Sequence, residues 1–332
     1  MSGAGRATMQ QVAEAAGVSP MTVSNTFRYP ERVQEETRAR VLAAADALGY
    51  VPNLAAGHLA SGSSRVVGAI IPSIRNSSFY RYVRGLQDAA AARGHEVLLS
   101  LADDPDQELA AVRTFMGWRA AGIVLVGNEH RAETAALLRA ARMPTVETWV
   151  RRAPIDMCVG FSVEEATRQM TRHLVRRGRR AIGFIGYSGG VARRFADRLA
   201  AFRDELSRHG LAPGPDYMAS EADGFAAGKQ ALAALIAQAP RLDGVICATD
   251  VIAGGVIFDC HRRGISVPGD LAVTGWGDYE IAAEILPSLT TVRPHSYDMG
   301  HTAIELLLTP READTAPAPR DVGFELICRD ST

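Results

Sequence analysis

Two sets of side chains in this 332-residue chain could do chemistry. The first is Met21, Thr22, Ser24 and Asn25, small polar groups beside a thioether on what reads as one short helix. Hydroxyls and a carboxamide at that spacing offer donors and acceptors matched in size to base edges in a major groove. The second set follows apolar, strand-like runs: the loop 73–79 from Ser73 to Phe79, Glu147 to Trp149, Ser188 to Arg198, Thr249–Asp250 and Trp276–Asp278. Carboxylates, an arginine fork and indoles at such places suit a polar small molecule, because ligands bind outside the carboxyl ends of parallel strands.

The elements that must position the first set can be read from TMQQVAEAAGVSPMTVSNTFR at 8–28. Thr8 caps a helix with Gln11 three positions on, the spacing of a capping box. Val12, Ala13 and Ala16 form its inner face. Gly17 suits a turn with positive φ, and Val18 plugs the angle between two helices. Ser19 caps the second helix, Pro20 occupies its first turn, and Val23 points inward. Gln34 to Leu48 predicts a third amphipathic helix, with Val41, Leu42, Ala45 and Leu48 inward and Gly49 as its stop. Three such helices make a small all-α unit of helix-turn-helix type.

Beyond Arg65 strands and amphipathic helices alternate. Val66–Ile71, Val97–Leu101, Gly122–Val126 and Pro144–Glu147 read as strands, separated by helices at Phe79–Arg93, Gln107–Trp118 and Ala136–Arg142. A second series runs through helix Val163–Arg177, strand Arg180–Gly186, helices Arg194–His209 and Phe225–Ala239, strand Gly244–Ala248, helix Val251–Arg263 and strand Leu271–Gly275. Alternation of this kind predicts two parallel, doubly wound α/β sheets with a cleft between them.

Composition narrows the function. Hydrophobic residues make up 47% of the chain and the net charge is −1, with Lys229 the only lysine. Overall charge therefore does not announce a nucleic-acid partner, and any DNA contact must be local, with Arg28, Arg32, Arg38, Arg40 and Arg65 in or beside the first unit. No apolar run reaches membrane-spanning length and no secretion signal opens the chain, so a cytoplasmic location is expected. Cys158, Cys247, Cys260 and Cys328 lack paired short spacing and are expected as buried, reduced thiols. Neither a nucleophile elbow nor a P-loop is found, and GYSGG at 186–190 lacks the Lys-Ser/Thr of a phosphate cradle. His173, His209 and His261 show no metal-ligand spacing. An enzyme is not expected, and neither is a cofactor or metal.

Several blocks resemble the lactose/galactose repressor (LacI/GalR) family of bacterial transcription regulators: AGVSPMTVS near 15–24, LGYVPN at 48–53, NLAAGHLASG at 53–62, IPSIRNSSF at 71–79, RLAAF at 198–202 and LPSLTTV at 286–292. The resemblance implies a headpiece at 1–52, a hinge helix and linker at 53–64, and a two-lobed, periplasmic-binding-protein-like core at 65–332. Its first lobe would span about 65–161 and 293–319, its second about 162–292 and 320–332. It also implies a homodimer on pseudo-palindromic double-stranded operator DNA. Thr8, Ser19, Pro20, Met21, Thr22, Ser24, Asn25, Arg28 and Arg32 would serve the headpiece contact, with Asn53, Ala56 and Leu59 in the hinge, Leu59 wedging into the minor groove.

For the small-molecule effector the same likeness points to Ser73, Phe79, Glu147, Trp149, Arg198, Phe225, Asp250, Trp276 and Asp278. Arg198 matches the family's effector-binding arginine. Where the family carries an aspartate after the penultimate cleft strand this chain has Gly277, followed by Asp278, a departure that counts against a neutral sugar. MTVSN at 21–25, PTVET at 144–148, VGF at 159–161, ATRQMT at 166–171 and LDGVICATD at 242–250 are similar to the gluconate-utilisation repressors, which implies a sugar-acid effector. Arg75, Arg193 and Arg194 are compatible with an anion. A periplasmic-type sugar receptor shares the two-lobed part but has no use for residues 1–62, and a non-enzymatic activator of the same family is the other alternative.

Overall fold

The structure is a computed structural model describing residues 7–52, 64–72, 79–152, 154–188, 192–219, 224–310 and 318–332. It divides into two units, Met1–Ser64 and Arg65–Thr332.

The first unit holds three helices. α1 (Met9–Ala16) begins at the Thr8 capping box, in which Gln11 N–H donates to Thr8 Oγ1 and Thr8 N–H donates to Gln11 Oε1 at 2.8 Å. It stops at Gly17 with φ 64°. α2 (Pro20–Arg28) starts where Ser19 Oγ accepts from Thr22 N–H at 3.1 Å. α3 (Glu35–Leu48) ends on Gly49, again left-handed. Val12, Ala13, Ala16, Val23, Val41 and Ala45 form the core, flanked by Val18, Phe27, Ala44 and Tyr50. Leu42 and Leu48, expected inward, are exposed. α1 has only eight residues and so covers about two turns of α3, which leaves an inner stripe of Val41 and Ala45 alone.

The second unit contains two six-stranded sheets. β1 (Val66–Ile71), β2 (Glu96–Leu101), β3 (Gly122–Val126), β4 (Thr145–Thr148) and β5 (Met157–Gly160) belong to the first. The helices on it are α4 (Phe79–Ala91), α5 (Pro105–Gly117) and α6 (Ala132–Ala140). After α7 (Val163–Arg176) the second sheet takes β6 (Ile182–Tyr187), β7 (Asp216–Ala219), β8 (Gly244–Cys247) and β9 (Ala272–Trp276). Its helices are α8 (Ala192–Arg208), α9 (Gly224–Gln238), α10 (Asp250–Arg263) and the short α11 (Glu280–Glu284). β10 (Thr290–Pro294) completes the parallel part, α12 (Ser296–Leu308) returns to the first sheet, β11 (Arg320–Asp321) joins β5, and β12 (Phe324–Ile327) joins β10.

The strand orders are β11-β5-β4-β3-β1-β2 and β12-β10-β9-β8-β6-β7. The second sheet is not wholly parallel, since β12 runs antiparallel to β10. The crossings also differ from expectation: β10 keeps residues up to Pro294 in the second sheet, and Arg320–Asp321 still pair with Val159 and Gly160 in the first. β5, β7, β10, β11 and β12 were not anticipated: β11 has only two residues, and short segments such as DYMA and TTVRP lack the continuous aliphatic run that marks β1 and β3. α12 docks on α4 through Gly85 and Gly300, where a β-carbon on either would strike the backbone carbonyl of Tyr297 or Tyr82.

Candidate functional site

On α2 the heptad-like inner face is Val23 and Thr26, and Thr26 Oγ1 is tied to Thr22 O at 2.9 Å. That turns Met21 outward at 68% exposed, with Thr22, Ser24 and Asn25 half-buried beside it and Arg28 exposed. Thr8 and Ser19 spend their hydroxyls on capping, and Ser19 also meets Thr22 Oγ1 at 2.9 Å. The Arg32 guanidinium lies 4.5 Å from the Tyr29 ring centroid. Asn53, Ala56 and Leu59 lie outside the described residues.

The second unit has a cavity of about 530 Å³ at the carboxyl ends of its first-sheet strands. Pro72 follows β1, Asp103–Pro105 follow β2, Gly127–Glu129 follow β3 and Trp149–Arg152 follow β4, while Ser162–Glu164, Arg168 and Asp197 face them from α7 and α8. Most of its charges are paired: Arg151 with Asp321 at 3.2 Å, Arg152 with Glu164 at 3.3 Å and Arg168 with Asp204 at 3.2 Å.

Trp149 is built into this wall under strain. Its φ is 65°, a conformation that costs a bulky residue on the order of 1–3 kcal/mol and persists where packing enforces it. Gly160 makes room for it, since a β-carbon there would press on Val150 N and O at 2.6 Å. The ring sits in a ladder of aromatic contacts that crosses between the sheets. Phe79 touches Tyr82 (5.9 Å between centroids) and Trp149 (5.6 Å), Trp149 touches Phe161 (6.0 Å), and Phe161 stacks on Trp276 (6.1 Å). The ladder ends on Arg198, whose guanidinium lies 3.6 Å from the Trp276 centroid and 5.1 Å from that of Phe195. Arg198 is 4% exposed and reaches Ala248 O, at the end of β8, with both terminal nitrogens at 3.4 Å. A guanidinium stacked this way keeps its charge and loses little freedom on binding an anion.

Four predicted effector residues sit among protein partners instead. Glu147 turns to the far side of β4, where His130 Nε2 lies 3.0 Å from its carboxylate and Ile155 N–H donates to it. Alternation along the strand explains this, because Thr148 takes the other face and meets Tyr82 Oη at 3.0 Å. His130 also contacts Glu108 at 2.9 Å; burial works against its charge, but Glu108 and Glu147 outweigh that and raise it to about 9. Asp250 is fully buried, accepting from Thr291 Oγ1 at 2.5 Å and Tyr279 N–H at 2.7 Å, and burial pushes its carboxyl up to about 7. Asp278 is clasped by Arg293 and Arg329, each at 2.6 Å; burial opposes its charge, yet the two arginines hold it below the usual carboxylate range. Phe225 is 44% exposed and packs on Phe258, at 5.4 Å between centroids.

Ser73 and Arg75 lie outside the described residues, and the side chains of Arg193 and Arg194 are likewise not described. Cys158, Cys247 and Cys260 are buried, but Cys328 is exposed, because β12 is an edge strand and Cys328 follows it. Sequence reasoning missed Glu108, His130, Arg151, Arg152 and Phe161. The pair Arg151–Arg152 was findable, since it lies in the loop just after β4, behind Trp149 and Val150; His130 depends on two partners 17 and 22 residues away and had no local signal. Among the described residues no group of His, Cys, Asp or Glu could hold a metal, and no helix is long and apolar enough to cross a membrane.

A helix-turn-helix unit joined to a two-sheet α/β unit with a cavity at its strand ends defines a ligand-binding transcriptional regulator. Residues 8–53 match the bacterial regulatory proteins of the lacI family, and residues 171–332 match the periplasmic binding protein-like domain. The chain is 32% identical over 324 residues to the HTH-type transcriptional regulator GntR of Escherichia coli (strain K12), covering 97% of both chains. It is 32% identical over 332 residues to the GntR regulator of Pseudomonas aeruginosa, covering 99% of this chain and 96% of that one. A LacI-family transcriptional regulator from Silicibacter pomeroyi superposes with a TM-score of 0.89 at 31% identity, over 98% of this chain and 99% of that one. The lac repressor dimer bound to operator superposes at 0.83 with 25% identity over 98% of each. This chain belongs to the LacI family of bacterial DNA-binding transcriptional regulators.

Proposed function

We propose that the chain is a homodimeric, cytoplasmic, non-enzymatic repressor that leaves its operator when a sugar acid occupies the cleft, with gluconate or a phosphorylated relative as the ligand. A two-fold dimer matches a two-fold site, so α2 of each protomer would enter successive major grooves of a pseudo-palindrome. The full-length likeness to GntR regulators supports the ligand class, and the operator-bound lac repressor dimer supports the assembly. The observation that carries the reading is Arg198, a permanently charged and buried guanidinium held in place by Trp276, next to the cavity-wall residue Asp197. An anionic ligand oxygen is the natural complement of such a group. Ligand that binds the closed cleft more tightly than the open one then shifts the lobes, by no more than that difference in affinity. A thermal-shift screen tests the ligand class: D-gluconate or 6-phosphogluconate raises the melting temperature and D-glucose does not. Stabilisation by the neutral sugar alone would overturn the sugar-acid reading.

A further inference from the structure

Cys328, just past β12, is exposed where the other three cysteines are buried, and its thiol has a partner. Its Sγ lies 3.6 Å from Nδ1 of His173 on α7, within the longer reach of a sulfur hydrogen bond. The other ring nitrogen opens a chain of buried hydroxyls: His173 Nε2 lies 2.7 Å from Thr332 Oγ1, which lies 2.9 Å from Thr290 Oγ1. The direction of that chain is fixed at its far end, where the Thr290 hydroxyl donates at 3.1 Å to the Arg329 carbonyl, a group that can only accept. Thr332 must then donate to Thr290, and His173 Nε2–H to Thr332, which leaves the Nδ1 lone pair facing the thiol. Burial, with Arg177 and Arg176 nearby, holds His173 below its ordinary value, so the ring is neutral at about pH 7 and able to take a proton.

We propose that Cys328 is a redox modification site, with His173 as the base that activates its thiol towards a small anionic disulfide such as oxidised glutathione. The S–H proton passes to His173 Nδ1. The thiolate attacks one sulfur of the small disulfide, a new S–S bond forms as the old one breaks, and the departing thiolate leaves with the electron pair and takes the proton from His173. Cys328 is thereby oxidised to a mixed disulfide, and one half of the reagent is reduced to a thiol. The product stays a mixed disulfide because Cys158, Cys247 and Cys260 are buried. Arg176 and Arg177 are exposed and close enough to His173 to oppose its charge, so they suit the carboxylates of the reagent, although Arg177 also donates to Thr332 O at 2.6 Å. None of these residues lines the cavity, which makes the site separate from that of the effector.

The test is the full-length protein incubated with oxidised glutathione at about pH 7, with adducts located by peptide mass spectrometry. The adduct forms on Cys328. A free thiol is only a few per cent thiolate at that pH, so a proton acceptor in place makes the reaction about tenfold faster than that of a small-molecule thiol. His173→Ala removes the base and slows the adduct about tenfold, and added imidazole restores the rate. An adduct that forms first on another cysteine overturns the proposal, as does a rate unchanged in His173→Ala; a slow rate that imidazole does not restore marks lost packing alone and overturns it too. Where the variant fails to fold, the parent decides by the ring 15N shifts of His173: a proton on Nε2 is expected, and a proton on Nδ1 overturns the assignment.

Discussion

On α2 the side chains expected to meet a partner run from Met21, 68% exposed, to the half-buried Thr22, Ser24 and Asn25, whereas in the cleft the expected groups are buried: Glu147 at 1%, Arg198 at 4% and Trp149 at 8%. The headpiece face is set mostly by local rules: a cap, a proline and Val23, packed against Val12 and Val41 of the neighbouring helices, turn Met21 outward. In the core, partners from distant elements decide which polar groups remain for a ligand. Glu147 and Asp278 are consumed by His130 and by two arginines. In the first region the candidate groups differ in exposure; in the second they differ in the protein partners they already hold.

The comparison breaks most visibly at His130. His130→Leu leaves Glu147 and Glu108 without their cation, and removing one member of a buried charged cluster costs about 3–5 kcal/mol. All three tryptophans lie in the second unit, so urea denaturation followed by tryptophan fluorescence reads its unfolding directly. The pH dependence has a definite sign. The folded His130 sits near 9 and an unfolded histidine near its ordinary 6.5, so its stabilisation is complete below about pH 6.5 and disappears as pH rises through 9. The parent should lose stability across that window, and His130→Leu should lack this share of the slope.

A smaller effect separates the ligand from the operator. Arg198→Ala should weaken D-gluconate binding by about 1.5–3 kcal/mol, the loss of one charge-assisted hydrogen bond, with operator affinity unchanged. Calorimetry of the variant and the parent checks it, and unchanged affinity for D-gluconate would remove Arg198 from the site. The smallest effect belongs to the open face. Asn25 is half-buried on α2 beside the exposed Met21; its carboxamide matches adenine N7 and N6, and an arginine matches guanine. Asn25→Arg should exchange adenine for guanine at one position of the half-site, a preference of about 1–3 kcal/mol, with stability altered by less than about 0.5 kcal/mol. Selection from random duplexes reads this out directly.

The fold was legible wherever a segment was long and periodic. VVGAII and GIVLV read as buried strands, and the capping box at Thr8 and the stop at Gly17 are visible as residue types at fixed spacing. Two-residue β11 has no such pattern and exists only because β5 offers it an edge. Part of the cleft was legible too. Phe79, Trp149, Trp276 and Arg198 share one ladder of contacts: Trp149 and Trp276 lie at strand ends, and the helices carrying Phe79 and Arg198 pack their side chains against these rings. Glu147, Asp250 and Asp278 follow the same rule, yet their carboxylates turn to protein donors. A strand-end position tells which end of the sheet a residue occupies, but not which face or which partner.

The most direct test of an effector-controlled DNA-binding regulator is fluorescence anisotropy of a labelled duplex, selected from a random pool by the full-length protein and titrated with D-gluconate beside D-glucose. The account predicts tight, sequence-specific binding that falls on adding D-gluconate and is unmoved by D-glucose. Retention of the duplex at concentrations of D-gluconate that saturate the cleft would contradict it.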